Sequence, residues 1–407
     1  LYINRYPVVL DKREMGDRRS PLRSKGNVMK RLLSTALVCS TLLSFSTAAL
    51  AAAPIKIGAL FAVTGPASFL GEPERNSAKM VVDEINKSGG VKGHQLELIS
   101  YDTGGDATKA VQLANRLIKD DHVVAIIGPS TTGDTMAVIP VVEKANIPLI
   151  SCAAGIKITD PVKKWVFKTA QNDTLAVARI YEQLKKEKKS KVAILTVSDG
   201  FGASGREQLK SQAAHFGIQI VADDTYGPKD NDMTAQLTKI RGSQAQAVIC
   251  WGTNPGPAII ARNAKQLGLT LPLYMSHGVS SKKFIELAGE ASEGIRLPSG
   301  KVLVADLLPK SEKQKGALQA YVRDYQLHYK AEGDHFGGHA WDAVMLLKGA
   351  IERGGENPAT IRNQLETTHS FAGIGGVFSY SPQDHAGLTK DAFVLVEGKK
   401  GRWTLLK

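Results

Sequence analysis

The residues with the sharpest chemical spacing are Gly200-Phe201-Gly202-Ala203-Ser204-Gly205, a G-x-G-x-x-G run with Asp223 and Asp224 downstream. Between a strand and a helix, such glycines let backbone approach a dinucleotide pyrophosphate, and the acid takes a ribose hydroxyl. The same glycines also serve a plain turn and close helix packing, and this plainer reading is preferred. His335 and His339 stand four apart, a spacing that metals use on one helix face. No acidic H-E-x-x-H context surrounds them and Gly337-Gly338 should interrupt the helix, so surface or helix-start histidines, with no metal, are expected. There is no G-x-S-x-G nucleophile elbow, and nothing in the sequence pairs a histidine with Cys152 or Cys250. The chain therefore reads as a binder rather than an enzyme, with no cofactor.

A more productive constellation is Gly128-Pro129-Ser130-Thr131-Thr132-Gly133, which follows one strand and opens a helix. Free backbone N–H groups, hydroxyls and the positive helix end suit a carboxylate there. Ser and Thr capping the helix would give the same residues. The sequence leaves both readings open.

These residues need elements to hold them. From Pro54 onward strand and helix alternate. The apolar runs predict strands over 55–63, 95–101, 123–127 and 148–151, with helices over 71–88, 107–119 and 134–145. In the helix over 107–119, Ala110, Val111, Ala114, Leu117 and Ile118 fall on one face. The rhythm restarts after Gln171, with strands over 192–197, 218–222, 247–251 and 273–276. Helices are expected near 205–216, 233–241, 257–267 and 281–288. Three more helices follow Lys310, one over 340–351, and then a hairpin turning at 398–401. Repeated βαβ units imply parallel sheets covered on both faces. The expected fold class is α/β, two Rossmann-like lobes with parallel central sheets, joined by a hinge of several chain crossings. Lobe 1 is read as 52–170 plus about 300–375, and lobe 2 as 171–299 plus about 376–407.

The N-terminus reads differently. Residues 1–28 are charge-dense without apolar period and are read as an upstream extension of the gene start. Met29, Lys30 and Arg31 then precede an uncharged run ending in Ala49-Leu50-Ala51, so 29–51 reads as a cleavable secretory signal rather than a membrane anchor. Cys39 follows Val38 in mid-run, which disfavours a lipoprotein. Residues 1–51 hold nine of the 52 Lys and Arg and three of the 39 Asp and Glu, so without them the formal charge falls from +13 to +7. The remaining excess is spread along the chain, with one cluster at Lys185, Lys186, Lys188 and Lys189 that suits a solvated helix C-terminus. With no basic stripe interleaved with aromatics, nucleic acid is not an expected partner. Cys152 and Cys250, in different halves, are expected to be free and buried.

In order along the chain, Ile55-Lys56-Ile57-Gly58, Thr64-Gly65-Pro66, Asp83-Glu84-Ile85-Asn86, Gly89-Gly90-Val91-Lys92-Gly93, Tyr101-Asp102-Thr103, Ile127-Gly128-Pro129, Phe201-Gly202 and His339-Ala340-Trp341-Asp342-Ala343 resemble the periplasmic leucine/isoleucine/valine-binding proteins. The resemblance covers nearly the whole chain after residue 51. It implies a type I periplasmic binding fold, a ligand in the interlobe cleft, and hinge closure before delivery to an ABC permease. A monomer in the periplasm is implied, although the same lobe pair could feed a chemoreceptor.

By position, Thr132 and the loop Ala153-Ala154-Gly155 would hold the ligand carboxylate, with Ser130 in the preceding loop. Phe69 and Leu70 would line the entrance. Phe201 and Thr253 would cover the apolar part, with Trp251 and Asn254 nearby. His277 falls where the amino-acid binders place an acid for the ligand ammonium. The chain departs from the family in three places: no aromatic stands near Leu70, Gly155 replaces a hydroxyl residue, and His277 replaces that acid. Burying an ammonium without an anionic partner is costly. An aromatic or other amine-free carboxylate therefore stands beside a branched-chain amino acid as the expected ligand, unless Asp199 or Glu72 supplies the missing charge.

Overall fold

The computed structural model describes residues 53–406. The expected secretory signal and the segment before it lie outside the described residues. Among the described residues, no helix is long and apolar enough to cross a membrane.

The first half of the chain alternates as its apolar runs require: β1 (Ile55–Phe61), α1 (Ser68–Lys87), β2 (Leu96–Asp102), α2 (Ala107–Lys119), β3 (Ala125–Ile127), α3 (Thr132–Ala145), β4 (Leu149–Ser151) and β5 (Val166–Lys168). These strands form one wholly parallel sheet in the order β2-β1-β3-β4-β5. Ile57, Ala59, Phe61, Ala125, Ile127 and Ile150 face one core, while Leu60, Ile126 and Leu149 face another. Opposite-face burial is what alternate residues of a doubly covered strand produce.

The second sheet starts after α4 (Asp173–Lys186). It comprises β6 (Lys191–Val197), α5 (Gly200–Ala213), β7 (Gln219–Tyr226), α6 (Thr234–Arg241), β8 (Ala247–Trp251), α7 (Gly256–Gln266), β9 (Leu273–Met275), α8 (Lys282–Ala288) and β10 (Arg296–Gly300). The chain continues through α9 (Lys315–Tyr329), α10 (His335–Gly354), α11 (Pro358–Glu366), the short pair β11 (Phe371–Ala372) and β12 (Val377–Phe378), and ends in β13 (Phe393–Lys399) and β14 (Arg402–Leu405). The sheet order is β14-β13-β10-β9-β8-β6-β7, with β13 antiparallel to both its neighbours. The molecule is thus an α/β fold of two Rossmann-like lobes.

The expected hairpin closes the second sheet. Lys185 and Lys186 lie in the last turn of α4, and Cys152 and Cys250 are free and buried.

Helix α10 returns to the first sheet. Its Ala340, Ala343, Val344, Leu347 and Ile351 share a core with Ala78, Val81, Val82 and Ile85 of α1. This helix corrects one expectation, because Gly337-Gly338 does not interrupt it. A Cβ at Gly337 would run into Tyr321, Ser77 and the Pro73 carbonyl, and one at Gly338 into Ile374. Close approach of neighbouring elements, rather than a break, explains the glycine pair.

The passages between lobes are tied to one another. Gln171 Nε2 donates to the Gly375 carbonyl at 2.7 Å, and Gln314 Nε2 to that of Gly373 at 2.8 Å. Asp342 accepts from the Ile374 and Gly375 N–H groups, both at 2.6 Å. Burial pushes its carboxyl up to about 8, against the pull of these two N–H donors.

Candidate functional site

A cleft of about 500 Å³ lies between the lobes, at the carboxyl ends of the strands. On the first-lobe side it opens onto the N-terminus of α3. Thr131 caps that helix, its hydroxyl accepting from the Asp134 N–H at 3.1 Å. The N–H groups of Thr132 and Gly133, in the first turn, have no intrahelical acceptor. Thr131 therefore caps the helix, while Thr132 and Gly133 line the cleft. Ser130 also lines it, but its hydroxyl is committed, donating to Glu74 and accepting from the Ala62 N–H.

The loop after β4 is held from behind by a buried cation. Lys168 is fully buried, and its Nζ donates to the Ala154 carbonyl at 2.6 Å, to Asn172 Oδ1 at 2.7 Å and to the Gly155 carbonyl at 3.4 Å. The Gly155 N–H donates to Thr132 Oγ1 at 3.3 Å. Burial draws the Lys168 ammonium down, against the charge of Asp173, and pushes the Asp173 carboxyl up. Asp173 is fully buried at the start of α4 and accepts from Ser204.

The second lobe presents the start of α5, capped by Asp199, whose carboxylate accepts from the Gly202 N–H at 2.8 Å. Burial pushes this carboxyl up, while its bonds to the Gly202 and Phe201 N–H groups pull it down. The G-x-G-x-x-G run is therefore the first turns of a helix. A Cβ at Gly202 would meet the Val197 carbonyl, and one at Gly205 the Trp251 indole. Asp223 is paired with Arg206 and Lys210, and Asp224 with Lys239. The glycines serve packing, as the plainer reading had it.

The lobes touch at this level. The Ile156 N–H donates to Ser204 Oγ at 3.2 Å, and Lys157 pairs with Glu207 at 2.5 Å.

Leu70, Ser130, Thr132, Ala153, Ala154, Phe201, Thr253, Asn254 and His277 all line the cleft. Three other expected residues stand behind it. Phe69 packs edge-on against Phe336 at 5.7 Å, Trp251 backs Phe201 and His277, and Gly155 contacts Thr132. Asp199 lines the cleft, whereas Glu72 is exposed outside it.

The reading of residue types missed His335 and His339. They were expected at the surface or at a helix start; His335 is the first residue of α10, but neither is at the surface, and both are buried and line the cleft with Phe336. Their buried neighbours come from α1 and from the crossing segments, distant in sequence. Among the described residues no group of three or more His, Cys, Asp or Glu could hold a metal ion.

Residues 54–402 match the model of a family described as periplasmic binding protein. The chain belongs to this family. Among curated relatives, the leucine-, isoleucine-, valine-, threonine- and alanine-binding protein of Pseudomonas aeruginosa is 27% identical, covering 80% of this chain and 85% of that protein. The Leu/Ile/Val-binding protein BraC3 of Rhizobium johnstonii is 26% identical over 90% and 97%. Among solved structures, an extracellular ligand-binding receptor from Rhodopseudomonas palustris HaA2 matches with a TM-score of 0.82 and 28% identity, over 87% of this chain and all of that one. The branched-chain amino acid transporter substrate-binding protein LivJ of Streptococcus pneumoniae, in complex with isoleucine, matches with a TM-score of 0.77 and 25% identity, over 86% and 97%. The relatives are solute binders of the branched-chain amino acid type, and the fold is that of type I periplasmic binding proteins.

Proposed function

We propose that this protein is the periplasmic solute-binding component of an ABC uptake system, capturing a small carboxylate, an amino acid or a related acid, between its lobes. The ligand carboxylate sits at the N-terminus of α3, against Thr132 and the Ala153–Gly155 loop. Phe201 and Thr253 close over the remainder from the second lobe. Closure about the hinge then presents the loaded monomer to an inner-membrane permease, without chemical change to the ligand.

The observation that carries this reading is the helix end itself. Free N–H groups, a positive dipole and the Ala153–Gly155 loop converge on a cleft bounded by both lobes, and anions bind at such ends. Micromolar binding needs about −8 kcal/mol, within reach of one carboxylate site and an enclosed apolar tail.

Thermal unfolding of the purified protein against amino acids, aromatic acids and short aliphatic acids tests the reading. A ligand at a hundred times its Kd adds about 2.7 kcal/mol of stability, a visible shift in Tm. Absence of any shift across the panel would overturn the proposal.

A further inference from the structure

His277, His335 and His339 line the cleft at 2%, 0% and 2% exposure. Both ring nitrogens of His277 and His335, Nδ1 of His339, and both amide atoms of Asn254 lack a hydrogen-bond partner. Buried polar groups are nearly always paired, so this concentration of unpaired atoms at one place points to a ligand that completes them.

The rings are held by their surroundings. His277 packs edge-on against Phe201, Trp251 and Phe393 at 5.5, 5.7 and 5.4 Å between centroids. His335 lies 4.1 Å from Phe336 and 5.1 Å from His339. Burial holds all three imidazoles well below their usual range, and His335 and Lys168 act in the same sense on His277 and His339, as does His277 on His339. Each is neutral at neutral pH and offers one donor and one acceptor.

The charges nearby do not suit an ammonium. Asp106, Asp134 and Asp199 line the cleft, but each is engaged at the start of its own helix, with the Lys109 N–H, the Thr103 hydroxyl and the Gly202 N–H respectively. Asp173, whose Oδ1 is also unpaired and lies 3.7 Å from His277 Nε2, is fully buried, is not part of the lining, and has Lys168 nearby to offset it.

We infer that His277, His335 and His339 form a second polar subsite that takes an uncharged or anionic oxygen group of the ligand, a hydroxyl, carbonyl or second carboxylate, and disfavours an ammonium. This inference rests on the carboxylate-binding reading above and narrows its ligand class to amine-free acids carrying a further oxygen.

Calorimetric titration at pH 7.5 with two ladders tests it. One is leucine, 2-hydroxy-4-methylpentanoate, 4-methyl-2-oxopentanoate and 4-methylpentanoate. The other is tyrosine, 3-(4-hydroxyphenyl)propanoate and 3-phenylpropanoate. In at least one ladder the amine-free acid with the extra oxygen should bind at least tenfold more tightly than both the amino acid and the unsubstituted acid. His335→Phe or His277→Phe should erase that advantage while the unsubstituted acid still binds, and His335→Gln, which keeps a donor and an acceptor, should retain most of it. An amino acid binding as tightly as its amine-free counterpart would overturn the inference and leave the carboxylate site standing. Equal binding of substituted and unsubstituted acids would do the same. Silence in both ladders would overturn both readings.

Discussion

His277 Nε2 lies 3.7 Å from Asp173 Oδ1, and both side chains are buried. That separation is too long for a hydrogen bond, so the imidazole stays untied while the carboxylate is held by Ser204 and sits in the field of Lys168. The cleft thus has three neutral rings in its lining and a buried cation and anion behind it. Its properties depend on keeping that cation and anion balanced.

Replacing Lys168 with Met should test the balance. The carbonyls of Ala154 and Gly155 lose their donor and Asp173 keeps a buried charge with no opposite partner, which should cost about 3 kcal/mol or more. Adding Asp173→Asn should recover at least ~1 kcal/mol of that loss in a double-mutant cycle read from urea midpoints. Strict additivity would mean that the two groups do not sense each other.

Acid should act through His335. Its folded value is drawn down to about 3 by burial, against about 6.5 in the unfolded chain. A depressed value contributes stability that is present above about pH 6.5 and lost as pH falls from there towards 3, about 2 kcal/mol by pH 5. Asp334 and Asp342, raised by burial to about 7 and about 8, act in the opposite sense. The comparison must therefore be between wild type and His335→Gln. Between pH 7.5 and 5 the variant should gain about 2 kcal/mol relative to wild type, and a constant difference would refute the assignment.

Ser204 joins the lobes by accepting from Ile156 and donating to Asp173. Ser204→Ala should weaken ligand binding about fivefold, chiefly through faster dissociation, equivalent to about 1 kcal/mol. The exposed Lys157–Glu207 pair should matter less, with Lys157→Ala changing affinity by no more than about twofold. Stopped-flow release of the carboxylate selected by the thermal panel measures both. If Lys157→Ala proved the more damaging, the interlobe contact would be electrostatic rather than hydrogen-bonded.

Gly155 is needed for room, since its φ of −53° is open to any residue but a Cβ there would strike Thr132 Cγ2. Gly155→Ala should displace Thr132 and weaken carboxylate binding about tenfold, a 1.4 kcal/mol effect. Thr132→Ser removes the obstructing methyl, so the double variant should bind within about threefold of Thr132→Ser alone. No rescue in the double variant would show that Gly155 matters for another reason.

Local pattern was enough to establish the architecture. Apolar runs covered on both faces, alternating with amphipathic helices, dictate parallel sheets, and the loop after β3 marked a helix start because helix ends carry their chemistry in adjacent residues, leaving capping and anion binding both open. Tertiary structure decided what depends on distant partners. β5 is three residues long, too short to register as a period, and nothing local marks its Lys168 as buried among the carbonyls of Ala154 and Gly155. Gly337-Gly338 looks like a helix break because glycine costs a free helix entropy, yet Tyr321, Ser77 and Ile374 leave no space for side chains there. His335 and His339 share a helix face by spacing alone, but spacing does not say whether that face meets water. The packing of α10 on α1 and the crossing segments place that face in the cleft, beside a histidine nearly sixty residues earlier, because burial is set by which surfaces meet rather than by neighbours in the chain.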